Sequence, residues 1–203
     1  MRLAKREVTD PDDLRGIVEQ CRTLRLGLCD ADGPFVVPVS FGIEWAGDDG
    51  LSRDDSRSNG GGRPNDDSRS GDAGRSGGDG RSGGDARSES GGCGLTLWIH
   101  SAREGRKADA LRSGGPVAIE MDRELGVYSG EFSCAWSMAY ESIMGTARVH
   151  EAQAREEKLH GLGRLMAHMA PGEPCRFDGA AVGHTAVFAL EVQELTGKRR
   201  EAS

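Results

Sequence analysis

The stretch LRLGLCDADGPFVVPVSFGIEW, residues 24–45, determines the fold class of this chain. Leucines occupy every second position from 24 to 28, which is the period of a strand with one buried face. Ala31-Asp32-Gly33 supplies turn residues, and Phe35–Trp45 is rich in the β-branched and aromatic residues that favour strands. The stretch therefore predicts a β-hairpin whose first strand covers Thr23–Asp30.

Pro38 interrupts the second strand of this hairpin. Proline has no N–H to donate to a neighbouring strand, so it is tolerated in a sheet only at an edge or at a bulge. We therefore expect Phe35–Trp45 to be a single strand that lies at an edge of the sheet or bulges at Pro38.

Four later segments have the composition of strands, and three segments have that of helices. The expected strands are Leu95–His100, Pro116–Asp122, Ala139–His150 and Thr185–Glu194, and the expected helices are one that begins at Asp10-Pro11, a second over Arg103–Arg112 and a third over Glu151–Met169. Six strands joined mostly by turns or short helices predict a mainly β fold, a six-stranded antiparallel β-barrel with flanking helices.

Residues 48–94 differ from the rest of the chain in composition. They hold 14 of the 31 glycines, 9 serines, 9 aspartates and 7 arginines, and Leu51 is their only sizeable apolar residue. Such a segment cannot bury enough apolar surface to offset the entropy that it would lose on ordering. We therefore expect one folded domain made of residues 1–47 and 95–203, with a disordered insert at 48–94 in place of a hairpin turn.

The charge balance limits the partners of the chain. It carries 26 basic and 33 acidic residues, a formal net charge of −7. An acidic protein without a basic stretch in its folded part is not expected to bind nucleic acid, and no apolar run is long enough to cross a membrane. Five scattered cysteines and the absence of a His-Glu-x-x-His motif indicate no metal site. We expect a soluble, cytoplasmic protein without metal, membrane or nucleic-acid partners.

Residues 100–107, HSAREGRK, carry the main functional hypothesis. A strand is expected to end at His100, Ser101 follows directly, and Lys107 comes where a helix begins. Free N–H groups at a helix start, a hydroxyl and a cationic side chain are the groups that bind a phosphate. Taken alone, this pattern also fits an ordinary strand-to-helix junction on a protein surface.

Three motifs together resemble the nitroimidazole-resistance (Nim-type) branch of the pyridoxamine 5′-phosphate oxidase-like flavoproteins. They are V-P-V-S-F at 37–41, H-S-A-x-x-G-x-K at 100–107 and Y-x-S-I-M-G at 140–145, and the resemblance extends over nearly all the chain outside the insert. It implies an FMN-binding split β-barrel that works as a homodimer with a flavin near each end of the interface.

The resemblance also implies roles for individual residues. Within 100–107, Ser101 and Lys107 would be the principal ligands of the FMN phosphate, with Ala102 between them. Binding of the flavin is further expected at Pro38, Val39, Ser40, Tyr140 and Ser142. His100 would face the substrate side of the flavin as the catalytic residue, whereas its alternative is a structural histidine at the end of a strand.

The leading hypothesis is therefore an FMN-dependent oxidoreductase that passes electrons from NAD(P)H to a small aromatic or nitro-aromatic acceptor. An alternative from another class is a non-catalytic module that stores or senses a flavin, deazaflavin or haem. Oxidation of vitamin B6 phosphates themselves is a weaker possibility, because no additional basic cluster is present for a second phosphate.

Overall fold

A computed structural model of the protein describes residues 4–47 and 93–201, which are built on one antiparallel sheet of eight strands. The strands are β1 (Glu7–Val8), β2 (Leu24–Asp30), β3 (Gly33–Val39), β4 (Gly42–Trp45), β5 (Leu95–Ala102), β6 (Val117–Tyr128), β7 (Ser137–Glu151) and β8 (Thr185–Arg200). The helices are α1 (Pro11–Gln20), α2 (Arg106–Arg112), α3 (Arg155–Met169) and α4 (Gly179–Gly183), with short 3-10 turns at Ala4–Arg6 and Ser133–Ala135.

The sheet curls into a barrel that stays open along one line. Its strand order is β3-β2-β6-β7-β8-β5-β4, with β1 paired to β8, so that β3 and β4 lie at opposite ends of the path. Yet only Ser40 and Phe41 separate Val39 from Gly42, a span of at most about 11 Å of extended chain. The two ends of the sheet must therefore meet in space, and the expected mainly β, antiparallel split barrel is confirmed.

The core fills the barrel with side chains that alternate along each strand. Leu24, Leu26 and Leu28 of β2 are buried, as their spacing predicts, and Ile119 and Ile143 face them from β6 and β7. Helices α1 and α2 cover the ends of this core, while α3 packs on the outside against β4 and β5.

The strand count and the form of the second predicted strand are wrong. Phe35–Trp45 is two strands rather than one, and its break falls at Ser40 and Phe41 instead of Pro38. Gly42, the first residue of β4, lies directly against the backbone of α3, where an added methyl group would be 2.3 Å from the amide nitrogen of Leu165. Pro38 lies in β3, which is an edge strand. Of the two expected alternatives, an edge strand or a bulge at Pro38, the structure shows the edge strand.

The other boundaries differ less. β1 and α4 were not expected, and β6 and β8 extend to Tyr128 and Arg200, beyond the predicted ends. β5 continues to Ala102, so that α2 begins only at Arg106 instead of Arg103. The cause is visible at Gly105, whose φ of +115° turns the chain from strand to helix. The helix that begins at Asp10-Pro11 is confirmed.

The residues on either side of the expected insert belong to two paired strands, β4 and β5. Trp45 of β4 lies opposite Leu95 of β5, and the amide of Ala46 donates a hydrogen bond of 2.7 Å to the carbonyl of Gly94. Residues 48–92 of the expected insert at 48–94 lie outside the described residues, so its disorder stays a prediction. No helix in the described part is long and apolar enough to span a membrane.

Candidate functional site

One line of the barrel leaves strand edges without partners. β4 pairs with β5 only as far as Trp98, so His100–Ala102 have β8 on one side and no strand among the described residues on the other. The opposite edge of the opening is β3, which pairs only with β2. We call this region the open seam, defined by His100–Ala102, by β3 and by Arg106 and Lys107 at the start of α2.

Arg106 connects the two sides of the open seam. Its Nε donates a hydrogen bond of 2.6 Å to Oδ2 of Asp30, the last residue of β2, which precedes the turn to β3. Its guanidinium also lies over the ring of Phe35, 4.1 Å from the centroid. The start of α2 is thereby held beside both the end of β5 and the edge of β3.

Lys107 places a cation in the open seam with little to neutralise it. The side chain is half-buried, and the burial lowers the pKa of its ammonium group. Its hydrogen-bond partner among the described residues is the carbonyl of His100, at the long distance of 3.4 Å from Nζ, and no described carboxylate forms an ion pair with it. Burying an ammonium without a counter-charge is costly, so this position fits a bound anionic group such as a phosphate.

His100 lies beside this cation on the outer face of β5. Its side chain is exposed, but the protein beneath the ring and the nearby ammonium of Lys107 lower its pKa below the ordinary histidine value. The imidazole is therefore mainly neutral at pH 7 while the site holds no anion.

Ser101 and Ala102 point in opposite directions from the same strand. Ser101 is 7% exposed and follows Ile99 on the interior face, the face that α2 covers. Ala102 is exposed and lines a cavity of ≈770 Å³ together with Arg103, Arg112 and His184. Successive residues of a strand alternate between faces, so the hydroxyl of Ser101 and the ring of His100 lie on opposite sides of the sheet.

Pro38, Val39 and Ser40 lie on the other side of the open seam. Pro38 and Ser40 are exposed, whereas Val39 packs toward the core. Because Pro38 shares β3 with Phe35, which Arg106 contacts, the predicted ring-binding strand faces the predicted phosphate-binding residues across the seam.

Tyr140 and Ser142 lie away from these groups within one chain. Tyr140 pairs with Arg200 and Ser142 pairs with Lys198, near the end of β8. His100 pairs with Val187, near the start of the same strand. The eleven residues from 187 to 198 correspond to about 36 Å of strand. The structure therefore places six of the nine predicted site residues in the open seam, with Ser40 directly after the end of β3, and leaves Tyr140 and Ser142 at the opposite end of the sheet.

Arg106, Asp30 and Phe35 form the bridge across the seam, and sequence reasoning did not identify them as part of the site. Arg106 and Asp30 are 76 positions apart, and their contact depends on the closure of the barrel. The only sequence signal for these residues was the adjacent basic pair Arg106-Lys107. The sequence does not show that Arg106 forms an ion pair with a carboxylate while Lys107, among the described residues, does not.

The model of the pyridoxamine 5′-phosphate oxidase family matches residues 89–199 of the chain. This range includes β5, α2 and all later strands, and therefore the half of the open seam that carries His100 and Lys107. No curated protein matches the chain.

Several solved structures share the fold. A candidate 5-nitroimidazole antibiotic resistance protein from Bacteroides thetaiotaomicron is 24% identical, with 95% of this chain and 85% of that chain covered and a TM-score of 0.62. The flavocytochrome Anf3 from Azotobacter vinelandii is 16% identical, with coverages of 100% and 72% and a TM-score of 0.66. An FAD and heme binding protein from Mycobacterium smegmatis is 17% identical, with coverages of 97% and 74% and a TM-score of 0.65.

Proposed function

Because the chain belongs to the pyridoxamine 5′-phosphate oxidase family, we propose that it is an FMN-dependent oxidoreductase of the Nim type, active as a homodimer. The acceptor is a small aromatic or nitro-aromatic molecule, and the electron donor is NAD(P)H. The redox chemistry of such an enzyme resides in FMN, while the protein supplies binding, orientation and electrostatics.

The observation that carries this proposal is the half-buried ammonium of Lys107 without an ionic partner among the described residues. A phosphate bound there would receive a charge-assisted hydrogen bond from Lys107. Ser101 supports the same placement, because its hydroxyl lies on the face of β5 that α2 covers. Arg106 holds the start of α2 in position through Asp30 and is therefore a positioning residue.

His100 is the proposed proton donor on the substrate side. Lys107 contributes to the lowered pKa of its imidazole, and a bound phosphate would neutralise that charge. The pKa of His100 would then rise toward the ordinary value near 6.5, where a side chain both holds and releases a proton at neutral pH. Occupancy of the phosphate position thus prepares His100 for proton transfer.

The second candidate is a binding module that holds a flavin, deazaflavin or haem without turnover. It is supported by the fold shared with a flavocytochrome and with an FAD and heme binding protein. An enzyme requires His100 for turnover, whereas a storage module does not.

The test combines spectroscopy with two variants and one control. Purified protein is expected to be yellow and to bind FMN, measured by quenching of flavin fluorescence. Lys107→Glu should weaken FMN binding at least about tenfold, because it replaces a charge-assisted hydrogen bond by repulsion. Lys5→Glu makes the same charge change at an exposed position outside the seam and should bind FMN like the wild type.

His100→Ala separates the enzyme from the binding module. It should keep FMN while losing about a hundredfold or more in NAD(P)H-dependent reduction of a nitro-aromatic acceptor. Unchanged FMN binding by Lys107→Glu would contradict the proposed binding of the FMN phosphate at Lys107. A wild-type protein that binds flavin or haem but never reduces an acceptor would establish the binding module instead.

A further inference from the structure

A cavity of ≈770 Å³ opens at the end of β5, next to the open seam. Its lining comes from the end of β5 and the loop that follows it, from the ends of α2 and β7, and from the residue before β8. Sites for small molecules have volumes of roughly 300–1,000 Å³, so the cavity is large enough for a nucleotide. The lining residues include Ala102, Arg103, Glu104, Arg112, Glu151 and His184.

The cavity lies on the same face of β5 as His100. Side chains alternate along a strand, so His100 and Ala102 lie on the outer face, whereas Ser101 lies on the inner face. Two residues, about 7 Å of strand, separate His100 from Ala102. A molecule that contacts His100 on the proposed substrate side can therefore extend past Ala102 into the cavity, while a phosphate at Ser101 lies on the other face of the strand.

Arg112 holds the wall of the cavity in place. Its Nε and Nη2 each donate a hydrogen bond of 2.8 Å to one of the two carboxylate oxygens of Glu151. Its Nη1 donates a hydrogen bond of 2.7 Å to the carbonyl of Arg103. A guanidinium that binds both oxygens of a carboxylate fixes the geometry of the two partners. The loop after β5 is thereby joined to the end of β7, and the cavity is formed before a ligand binds.

This pairing leaves the guanidinium of Arg103 to act on a ligand. The hydrogen bonds from Arg112 lower the pKa of Glu151, and the charge of Arg103 adds to this effect. Arg103 itself is exposed and forms no ion pair within the part of the chain that the structure describes. Arginine offers a planar set of donors that matches the oxygens of a phosphate, and the ring of His184 adds a further N–H donor to the lining.

Glu104 is the second carboxylate of the lining, and it has no ion-pair partner in the described ranges. A carboxylate next to a phosphate-binding group suits a ribose, because its oxygens accept hydrogen bonds from the ribose hydroxyls. The same carboxylate repels a phosphate attached at the 2′-position of that ribose. Arg103, His184 and Glu104 therefore provide groups for a diphosphate and for an unmodified ribose, which are the polar parts of adenosine diphosphate.

We propose that this cavity binds the adenosine diphosphate half of the electron donor, and that the donor is NADH rather than NADPH. The proposal rests on the proposed function for the identity of the donor. Arg103 and His184 bind the diphosphate, Glu104 binds the adenosine ribose, and the nicotinamide end lies toward His100 on the outer face of β5. Arg112 is a positioning residue, because it acts on the ligand through the loop that carries Arg103.

The first experiment uses ADP itself, because its binding requires neither a flavin nor turnover. Isothermal titration calorimetry on the full chain should show binding of ADP. Arg103→Glu should weaken it at least about tenfold, since repulsion replaces a charge-assisted hydrogen bond. Arg176→Glu makes the same charge change at an exposed position outside the cavity lining and should bind ADP like the wild type. A wild type that does not bind ADP, or equal binding by Arg103→Glu, would overturn the proposal.

The second experiment tests the position of Glu104. The wild type should bind ADP about tenfold more tightly than ADP with an additional 2′-phosphate, because the carboxylate repels that phosphate. Glu104→Gln keeps a polar side chain of the same length without the charge and should lose most of this preference. Glu173→Gln, at an exposed position outside the cavity lining, should keep it. Equal affinity of the wild type for the two nucleotides would overturn the choice of NADH.

The third experiment separates the donor from the cofactor, because FAD also contains adenosine diphosphate. Arg103→Glu should raise the KM for NADH at least about tenfold and leave the KM for reduced benzylnicotinamide, a donor without phosphates, unchanged. The ratio of FAD to FMN affinity, measured by quenching of flavin fluorescence, should be the same in the wild type and in Arg103→Glu. Selective loss of FAD binding in Arg103→Glu would assign the cavity to the cofactor and overturn the proposal.

The outcomes distinguish this proposal from the proposed function. If the wild type bound no flavin, the proposed function would fail, whereas the ADP titrations of the wild type and Arg103→Glu would still decide whether the cavity binds a nucleotide. If Arg103→Glu used NADH as well as the wild type does, the proposed function would stand and the proposal would fail. Circular dichroism of every variant excludes loss of the fold as the cause.

Discussion

At the scale of single residues, burial and the charge of Lys107 both lower the pKa of His100. The protein beneath the ring and the neighbouring ammonium both favour the neutral imidazole and lower its pKa. The unfolded chain therefore binds more protons than the folded one near pH 6. In the absence of an anion, this part of the stability is present above the ordinary pKa of histidine and is lost as the pH falls toward the lower folded value.

Lys107→Met should raise the pKa of His100, because it removes the nearby positive charge and keeps a side chain of similar length. The measurement is the pH titration of the imidazole proton shifts by NMR, in the wild type and in the variant. The control is Lys5→Met, at an exposed lysine outside the seam, which should leave the titration unchanged. Identical titrations in the wild type and Lys107→Met would show that burial alone sets the pKa.

Cys21 provides a second prediction at this scale. Burial, together with the carboxylate of Asp122, raises the pKa of its thiol to about 11. The other four cysteines of the chain are exposed, at positions 29, 93, 134 and 175. Since the thiolate is the reactive form, iodoacetamide at pH 8 should modify the four exposed thiols in the native protein and Cys21 only after unfolding. Mass spectrometry after digestion locates the labels, and rapid native labelling of Cys21 would contradict its burial.

At the scale of elements, α3 shows how closely a helix approaches the outside of the barrel. A methyl group added at Gly161 would lie 2.3 Å from Cε3 of Trp98, whereas nothing lies within 4 Å of one added at Gly163. Trp98 is fixed in turn, because its indole Nε1 donates a hydrogen bond of 2.7 Å to Glu44. Two glycines on one helix thus have opposite packing requirements.

Gly161→Ala should lower the free energy of unfolding by about 1–3 kcal/mol, because the methyl group displaces the indole of Trp98. Gly163→Ala is the matched control and should raise it by about 0.5–1 kcal/mol, since alanine loses less entropy in a helix than glycine. Urea denaturation measures both changes, and the free energy of unfolding should depend on urea concentration with the same slope in all three proteins. Equal effects of the two substitutions would show that α3 does not pack on Trp98 as described.

At the scale of the whole molecule, the barrel is held together by pairings that are distant in sequence. β4 and β5 are neighbours across the expected insert, and β5 reaches the rest of the sheet only through β8. The cost of closing a loop grows slowly with its length, so about 47 residues in place of about four add roughly 2 kcal/mol. The fold therefore does not depend on a short connection here.

Replacing residues 48–92 by Asn-Gly should keep the melting temperature or raise it slightly. The shortened loop would run from Ala46 to Gly94, whose backbone hydrogen bond of 2.7 Å already closes the hairpin. Differential scanning calorimetry and the FMN titration check the result. Insoluble protein, or loss of FMN binding that the full chain shows, would mean that the removed residues contribute to the fold or to the site.

The amino-acid sequence by itself determined the local structure and the chemistry of the main motif. The alternation of leucines in β2, the cap at Asp10 and Pro11, and the restriction of Pro38 to an edge or a bulge follow from side-chain periodicity and backbone chemistry, which act over a few residues. Ser101 and Lys107 are residue types that bind phosphates, and their role as phosphate ligands stays a prediction from the sequence.

The tertiary structure decided which of these groups meet. The break of Phe35–Trp45 into two strands at opposite ends of the sheet, and the carboxylate that holds Arg106 while leaving Lys107 without one, depend on contacts between segments far apart in the chain. The separation of Tyr140 from the open seam has the same origin, because strand register places it at the far end of β8. Local periodicity contains no information about barrel closure, since closure is set by the packing of the whole core.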